Sequence, residues 1–466
     1  MSDLTAVVLA AGLGTRMKST TPKVLHALAG RPLIEFPVRA ALELGAARVV
    51  VVTSGHADID ELLKRVFEGR VVTAVQDPPR GTGDAARVGL ERVETEHVLI
   101  LCGDTPLVTS RELSEVVEAS RKQGVVLTVG SAELDEPRGY GRVLTASDGR
   151  ATEIREERDL GSDAERAVRL VNAGIYAGRT RDIRGALSGL SPNNAQNEYY
   201  LTDIVAALGR TGRVLPVVGA ADALVGVNDR SQLREAEETL FARIRARLGR
   251  EGVTVHGDAR IDDTVRVAPG AEIEANVRLR GATVVGENAF IDVGSVVTDC
   301  SIAAGAELKP YSVMTSSRVG ESAQIGPFSH LRPDSEIEAE AHIGNFVETK
   351  KTRVRRGAKA NHLAYLGDGD IGERANLGAG TIFCNYDGFQ KHRTTIGAGA
   401  FVGSDSQLVA PVSIGKGAYV ACGSSITEDV PDDALAIGRA RQTNKPGYGA
   451  KLRERLAEKA REAKKK

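Results

Sequence analysis

The chain has 466 residues, and its clearest chemical signal comes where a short valine-rich run opens into LAAGLGTRMKSTTPKVL, Leu9 to Leu25. Gly12 and Gly14 allow tight turns and close backbone approach, so consecutive amides can surround phosphate oxygens, while Arg16 and Lys23 bring positive charge to the same place. The spacing is neither that of the Walker loop nor that of the dinucleotide fingerprint, and a glycine loop alone describes a plain turn as readily as a phosphate cradle. Asp104, in CGDTPL, closes the apolar run Val98 to Leu101. Open α/β sheets bind ligands beyond the carboxyl ends of their strands; taken alone, such an aspartate is a turn residue or a cap, and only the glycine loop gives it a further meaning. In the second half, Lys350 to Leu366 and Asn385 to Thr395 introduce charged, polar and aromatic residues into an aliphatic pattern. His362 lies there, and an imidazole is a side chain suited to proton transfer, although a lone histidine packs structurally just as often.

These groups need elements to position them. Leu4 to Leu9, Val49 to Thr53, Val98 to Leu101 and Val125 to Val129 are short apolar runs that alternate with helical stretches such as Ile34 to Leu44 and Arg111 to Lys122. That alternation predicts a doubly wound α/β domain over residues 1–227. From Asp229 to Arg247 the apolar residues Leu233, Ala236, Leu240, Ile244 and Leu248 recur at helical steps, with Asn228 and Asp229 available as caps. Residues 228–250 therefore read as a linking helix, either a connector or a helix packed on the preceding domain.

Beyond it an aliphatic residue falls at every sixth position: Ile261, Val267, Ile273, Leu279, Val285, Ile291 and Val297 form one series. The count slips and resumes at Ile302 and Leu308, at Val319 to Ile343, and at Ile396 to Ile426. Neither the helix nor the flat strand has this period, whereas a triangular coil does, with each aliphatic side chain pointing into a prism. Residues 251–440 are expected to form such a coil, with Lys350 to Leu366 and Asn385 to Thr395 as loops interrupting it, and residues 441–466 a tail of helical composition, basic at its end.

Sixty-one basic and 62 acidic residues give a formal charge of -1, which speaks against a nucleic-acid protein relying on a broad positive surface. The four cysteines, Cys102, Cys300, Cys384 and Cys422, show no framework or metal-ligand spacing and read as reduced thiols of a cytoplasmic protein. The sequence shows no signal-peptide pattern and no run of uncharged apolar residues long enough for a membrane, so neither export nor a membrane span is expected.

The string G-x-G-T-R-M followed by P-K resembles the signature of the sugar nucleotidyltransferase family, which joins a nucleoside triphosphate to a sugar 1-phosphate. In the second half LRP (Leu331 to Pro333), GNFVETKK, ANHLAYLGD and GAGTIFCNYDG with Lys391 resemble the acetyltransferase half of the bifunctional N-acetylglucosamine-1-phosphate uridylyltransferase/glucosamine-1-phosphate N-acetyltransferase family, so the likeness covers nearly the whole chain in order. The resemblance implies a Rossmann-like nucleotidyltransferase domain, a linking helix and a left-handed parallel β-helix of hexapeptide repeats. It implies acetyl transfer from acetyl-CoA to glucosamine-1-phosphate, then magnesium-dependent transfer from UTP to N-acetylglucosamine-1-phosphate, in a cytoplasmic homotrimer. Carried over by motif, Leu9, Ala10, Ala11, Gly12, Gly14, Lys23, Gln76, Gly81 and Thr82 would meet UTP, Gly141, Glu156 and Asn172 the sugar and its N-acetyl group, and Asp104 with Asn228 the Mg2+, while Arg16 and Lys23 act on the phosphates. Cys102 replaces the tyrosine of familiar members. His362 would be the general base; Arg332, Lys350 and Lys391 would hold the sugar phosphate, with Tyr365, Asn376 and Asn385 orienting the sugar. Acetyl-CoA would lie along Ala379, Asn385, Tyr386, Ser404, Cys422 and Arg439, Cys422 standing where an alanine is familiar. The two sites are expected far apart, with the intermediate diffusing between them. A one-activity nucleotidyltransferase with a regulatory coil and a non-catalytic sensor are the rival readings; the intact His362 and Asn385 segments oppose the first, and Arg16, Lys23 and Asp104 the second.

Overall fold

Leu4–Leu9 (β1) is buried at every position, as an apolar strand between two parallel neighbours must be. Its alternate side chains face opposite ways: Leu4, Ala6 and Val8 enter one hydrophobic core and Val7 and Leu9 another, so helices cover both faces of the sheet. The computed structural model describes residues 3–12, 14–224 and 226–464, which divide into two units, Met1–Arg250 with Arg260–Val265, and Glu251–Ala259 with Arg266–Lys466.

In the main sheet of the first unit the other strands are β2 (Arg48–Thr53), β3 (Val71–Val75), β4 (His97–Cys102), β5 (Val125–Glu133), β6 (Arg142–Thr145), β7 (Ala151–Arg155), β8 (Leu170–Arg179) and β9 (Arg213–Val218). The main path runs β9-β5-β8-β4-β1-β2-β3, with β6 and β7 paired off β8. β1 pairs in parallel with both β2 and β4, whereas β8 is antiparallel to β4 and β5. The chain leaves β1 toward one side and reaches β4 on the other, so the strand order switches there and opens a crevice at the carboxyl ends of β1 and β4. The helix Arg230–Arg250 packs Leu233, Ala236 and Leu240 against Leu28, Leu33, Leu107 and Val227. It is thus packed on the preceding domain. Its cap is Asp229, whose Oδ1 accepts from the amides of Ser231 at 2.9 Å and Gln232 at 3.0 Å, which leaves the side chain of Asn228 free for another purpose.

The second unit is a parallel β-helix. Three sheets carry short strands in which each strand pairs with the third one after it until Tyr419–Val420, which pairs with the second, Leu435–Ala436; examples are Glu272↔Phe290 and Ile273↔Ile291 in the first sheet, and Leu279↔Val297 in the second. One residue of each strand points inward, so a column of aliphatic side chains runs up each sheet. The register corrects one expectation. Lys350 to Leu366 is not a loop: the coil continues through Glu348–Lys350, Arg353–Val354, Lys359–His362 and Tyr365–Gly367. Its inward positions are filled by Thr349, Val354, Ala360 and Leu366, all buried, and the threonine and alanine hide the sixfold count from an aliphatic pattern. Asn385 to Arg393 does leave the coil, returning by an isolated antiparallel bridge between Tyr386 and Lys391 and re-entering at Thr394–Ile396. The tail forms the helix Tyr448–Ala463 without a buried residue; Lys465 and Lys466 lie outside the described residues.

Phe383 sits inside the prism at 1% exposure, the largest side chain of its column. Phe383→Ala is expected to destabilise the coil by about 3–5 kcal/mol, the cost of a phenylalanine-sized void, and denaturant unfolding monitored by far-UV circular dichroism checks it; an unchanged midpoint would show that the column closes over the gap.

Candidate active sites

At the switch point, Leu9, Ala10, Ala11, Gly12, Gly14, Arg16, Lys23, Gln76, Gly81, Thr82, Asp104 and Asn228 line one cleft of about 500 Å³, together with Val24, Pro79, Ala85, Cys102 and Glu198. The predicted nucleotide loop and the predicted metal ligands therefore share a wall. The fold explains the convergence: the Gly103 amide donates to the Leu9 carbonyl at 2.9 Å, and the Val227 amide to the Asp104 carbonyl at 2.8 Å, so the ends of β1 and β4 and the segment before the long helix are fastened together. Gly14 has φ +59, and a Cβ there would meet the Lys23 Cβ at 2.5 Å; only glycine lets the loop cross over that lysine.

Lys23 Nζ makes a short ion pair with Asp104 Oδ2 and donates to Asn228 Oδ1 at 3.2 Å, while Arg16 Nη2 donates to the same oxygen at 3.1 Å. A carboxylate and an amide oxygen thus already converge on one cationic atom. Hard oxygen donors of this kind, one or two from the protein with phosphates and water completing the shell, are what Mg2+ takes, so the residues fit that ion. Cys102 lies beside them with its thiol pushed up to about 12, by burial first and by Asp104 second, and it stays neutral at physiological pH.

Gln76 is buried, and its Nε2 donates to the Gly81 carbonyl at 3.1 Å and to Asp84 Oδ2 at 2.9 Å. Both of its donors are spent, which leaves its carbonyl oxygen to accept from a ligand. Gly81 holds φ +106, and a Cβ there would meet the Tyr199 carbonyl at 2.5 Å, so this turn into the helix Thr82–Leu90 also demands glycine.

Gly141, Glu156 and Asn172 are not among the residues lining that cleft; they group just before β6, just after β7 and on β8. The Asn172 amide donates to the Gly141 carbonyl at 2.9 Å, and the Asn172 side chain accepts from the Gly174 amide at 3.0 Å and donates to Tyr176 Oη at 2.8 Å. Two residues that motif reading missed join the group to the cleft. Gln232 accepts from the Asn228 amide at 2.7 Å through Oε1 and reaches Tyr140 Oη at 3.4 Å through Nε2. Burial, then the charge of Asp104, raises the Tyr140 phenol. Tyr140 stands inside the GYGR string and Gln232 one helical turn after Asn228; those two placements were the available signal.

Burial holds the Glu156 carboxyl above the usual range. A raised carboxyl is unpenalised where both folded and unfolded forms are protonated, and its stability deficit grows as pH rises through the folded value. Glu156→Gln is therefore expected to raise the melting temperature at neutral pH and to leave it unchanged at pH below the ordinary carboxyl range. Equal shifts at both pH values would contradict a desolvated charge.

The predicted acetyl-transfer residues fall on the coil in a regular way. In the first sheet Ile343, Ala360, Leu377, Val402 and Val420 are in register, as are Asn345 and His362. Two places beyond those inward residues come Asn345, His362, Ala379, Ser404 and Cys422, a single column along one corner, tied by the Asp405 amide to the Ala379 carbonyl at 2.7 Å and the Gly423 amide to the Ser404 carbonyl at 2.8 Å. A Cβ at Gly423 would lie 3.8 Å from Arg439 Cδ, which adds Arg439 to the top of the column. His362 and Cys422 are exposed.

Past that corner the second sheet carries Arg332, Lys350 and Tyr365 on consecutive coils; Glu348, opposite Tyr365 in register, accepts from Arg332 Nη1 at 2.7 Å. Asn385 is buried and donates to Asp368 Oδ2 at 2.6 Å; a Cβ at Gly367 would meet its Nδ2 at 2.5 Å and Tyr365 Oη at 2.6 Å. Asn385 thus lies beside Tyr365, and Tyr386 follows it where the excursion leaves the coil, outside the column of Ala379, Ser404 and Cys422. Lys391 Nζ lies 4.7 Å from the centre of the Tyr386 ring. Asn376 is not brought to this face: it pairs with Lys359 and Phe401 on the first sheet.

The description of a MobA-like NTP transferase domain matches residues 6–168. The bifunctional protein GlmU of Sorangium cellulosum is 56% identical over 98% of this chain and 98% of its own length. The chain belongs to the GlmU family. The GlmU of Trichlorobacter lovleyi is 44% identical over 97% of this chain and 100% of its own. Among solved structures, the inositol-1-phosphate CTP transferase from T. maritima matches 50% of this chain and 96% of its own at 18% identity, with a TM-score of 0.41. As a GlmU the chain is a bifunctional transferase with an N-terminal nucleotidyltransferase domain. Among the described residues no helix is long and apolar enough to cross a membrane.

Proposed function

We propose that this GlmU makes UDP-N-acetylglucosamine by acetylating glucosamine-1-phosphate with acetyl-CoA and then joining the product to UTP with release of pyrophosphate. The observation that carries the reading is the convergence of Arg16, Lys23, Asp104 and Asn228 at the mouth of a glycine-lined cleft. In the first unit the backbone of Leu9, Ala10, Ala11, Gly12 and Gly14 cradles the UTP phosphates, the free carbonyl oxygen of Gln76 accepts from the base, and Glu156 and Asn172 face the sugar. Asp104 and Asn228 would hold Mg2+, which neutralises charge building up between the reacting phosphates. Arg16 and Lys23 then carry the charge of the departing pyrophosphate, and no protein nucleophile is needed, since displacement at phosphorus asks chiefly for positioning and charge.

In the second unit Arg332, Lys350 and Lys391 hold the sugar phosphate and Tyr365 and Asn385 orient the ring, so the amine is presented to the corner. His362 Nε2 or Nδ1 takes a proton from the ammonium, because only the free amine attacks the thioester. Acetyl-CoA lies along Ala379, Ser404, Cys422 and Arg439. Asn376 stands on a different face from Arg332, Lys350 and Tyr365, which supports a site completed by a neighbouring copy in a homotrimer; sedimentation of the pure protein as a monomer at assay concentration would defeat that part of the reading. One assay tests the whole: glucosamine-1-phosphate, acetyl-CoA, UTP and magnesium are supplied, and free CoA and pyrophosphate are followed separately. Both products are expected, and pyrophosphate release should depend on acetyl-CoA unless the acetylated sugar is provided. Failure of either product overturns the corresponding half.

A further inference from the structure

The excursion Asn385 to Arg393 carries Lys391, and its shape is set by one carboxylate. Asp387 Oδ1 accepts from the amides of Phe389 and Gln390, each at 2.8 Å, and Oδ2 is 2.6 Å from His392 Nε2. The tip is closed by Tyr386 Oη donating to the Gly388 carbonyl at 2.5 Å, and the root by the His392 amide donating to the Asn385 carbonyl at 2.8 Å. His392 therefore ties both ends of the excursion, its backbone to the coil side and its ring to the tip, and Lys391 lies between these two ties. The Asp387 carboxyl is held below the usual range by the Gln390 amide first and by His392 next, so it is an acceptor throughout the working pH range. Phe389, in contrast, is 97% exposed, so its ring adds no packing at the tip; hydrogen bonds and the Lys391–Tyr386 contact define the excursion.

We infer that Asp387 and His392 are positioning residues for acetyl transfer, which fix the excursion so that Lys391, stacked on Tyr386, is presented to the phosphate of the amino-sugar substrate. The inference rests on the reading of Lys391 as a phosphate ligand. A lysine carries four rotatable bonds, and a loop free to sample many shapes would spend binding energy on ordering both. The pair removes the loop from that cost. It acts on the binding of the sugar phosphate, and it touches neither the thioester nor the nucleotide site.

The test compares His392→Ala, His392→Gln, Asp387→Ala and Lys391→Met in the full-length protein, reading KM for glucosamine-1-phosphate, KM for acetyl-CoA, uridylyl transfer and the melting temperature. His392→Ala and Asp387→Ala should each raise KM for the sugar phosphate roughly tenfold, about 1.4 kcal/mol of lost binding, with KM for acetyl-CoA and uridylyl transfer unchanged. His392→Gln keeps an N–H where Nε2 stands and should recover most of that loss, which a role in mere stability would not predict. If Lys391→Met leaves KM for the sugar phosphate unaltered, the underlying reading of Lys391 fails. If Lys391→Met raises it while His392→Ala and Asp387→Ala do not, or if those two raise both KM values alike, the positioning role is overturned.

Discussion

Replacing Asp104 with asparagine is expected to cut pyrophosphate release by two to three orders of magnitude while CoA release proceeds at the normal rate. The size follows from what removing one preorganised electrostatic group costs in a water-excluding site, about 3–4 kcal/mol in the barrier. Asn keeps the shape, so the Val227 amide still reaches the backbone carbonyl of residue 104 and the cleft keeps its form; what disappears is the negative charge. Lys23 then loses its ion partner and remains close to Asn228, leaving two protein cations, Lys23 and Arg16, facing the place where a third positive charge should sit. Direct titration with Mn2+ in the presence of UTP supplies a readout besides turnover, and it should show weakened binding. Normal pyrophosphate release by Asp104→Asn would remove this aspartate from the metal site.

His362→Ala should have the opposite selectivity: CoA release falls by a factor of about 10²–10⁴, the usual worth of a positioned general base, and pyrophosphate release from supplied N-acetylglucosamine-1-phosphate is untouched. The side chain is exposed at a coil corner and belongs to no hydrophobic cluster, so folding should survive its loss. If His362 is the base, the variant's residual rate should climb with pH more steeply than that of the normal enzyme, because the substrate ammonium must then lose its proton to water. A proportional loss at all pH values would assign His362 to binding.

How much of this could be read from the residues differs between the halves. β1 and its glycine loop were legible because a buried parallel strand is continuously apolar and the turn after it cannot tolerate a Cβ at Gly14. The coil was legible wherever Ile, Leu or Val filled the inward column. It vanished from view between Lys350 and Leu366, since Thr349 and Ala360 satisfy the same position without the same hydrophobic signature, and a stretch of the prism passed for a loop. Tyr140 and Gln232 escaped because each acts through its neighbour, Tyr140 on Gln232 and Gln232 on the Asn228 amide; a hydrogen bond between residues so distant in sequence leaves no local pattern. The separation of Asn376 from Arg332, Lys350 and Tyr365 was invisible for a different reason, as the strand period says which residues point outward but only the register says on which of three sheets.

The register also bears on how each half acquires its structure. In the coil every rung leans on the one before it, Val285 on Ile302 and Ile302 on Val319, so each new turn closes a small loop and can be added singly, like teeth on a zip. The sheet of the first unit must bring Leu4 to His97 and Arg213 to Val125 before any of its interior is dry. Long closures of that kind slow the search and favour all-or-none melting, whereas stacked rungs can fray from an end one at a time.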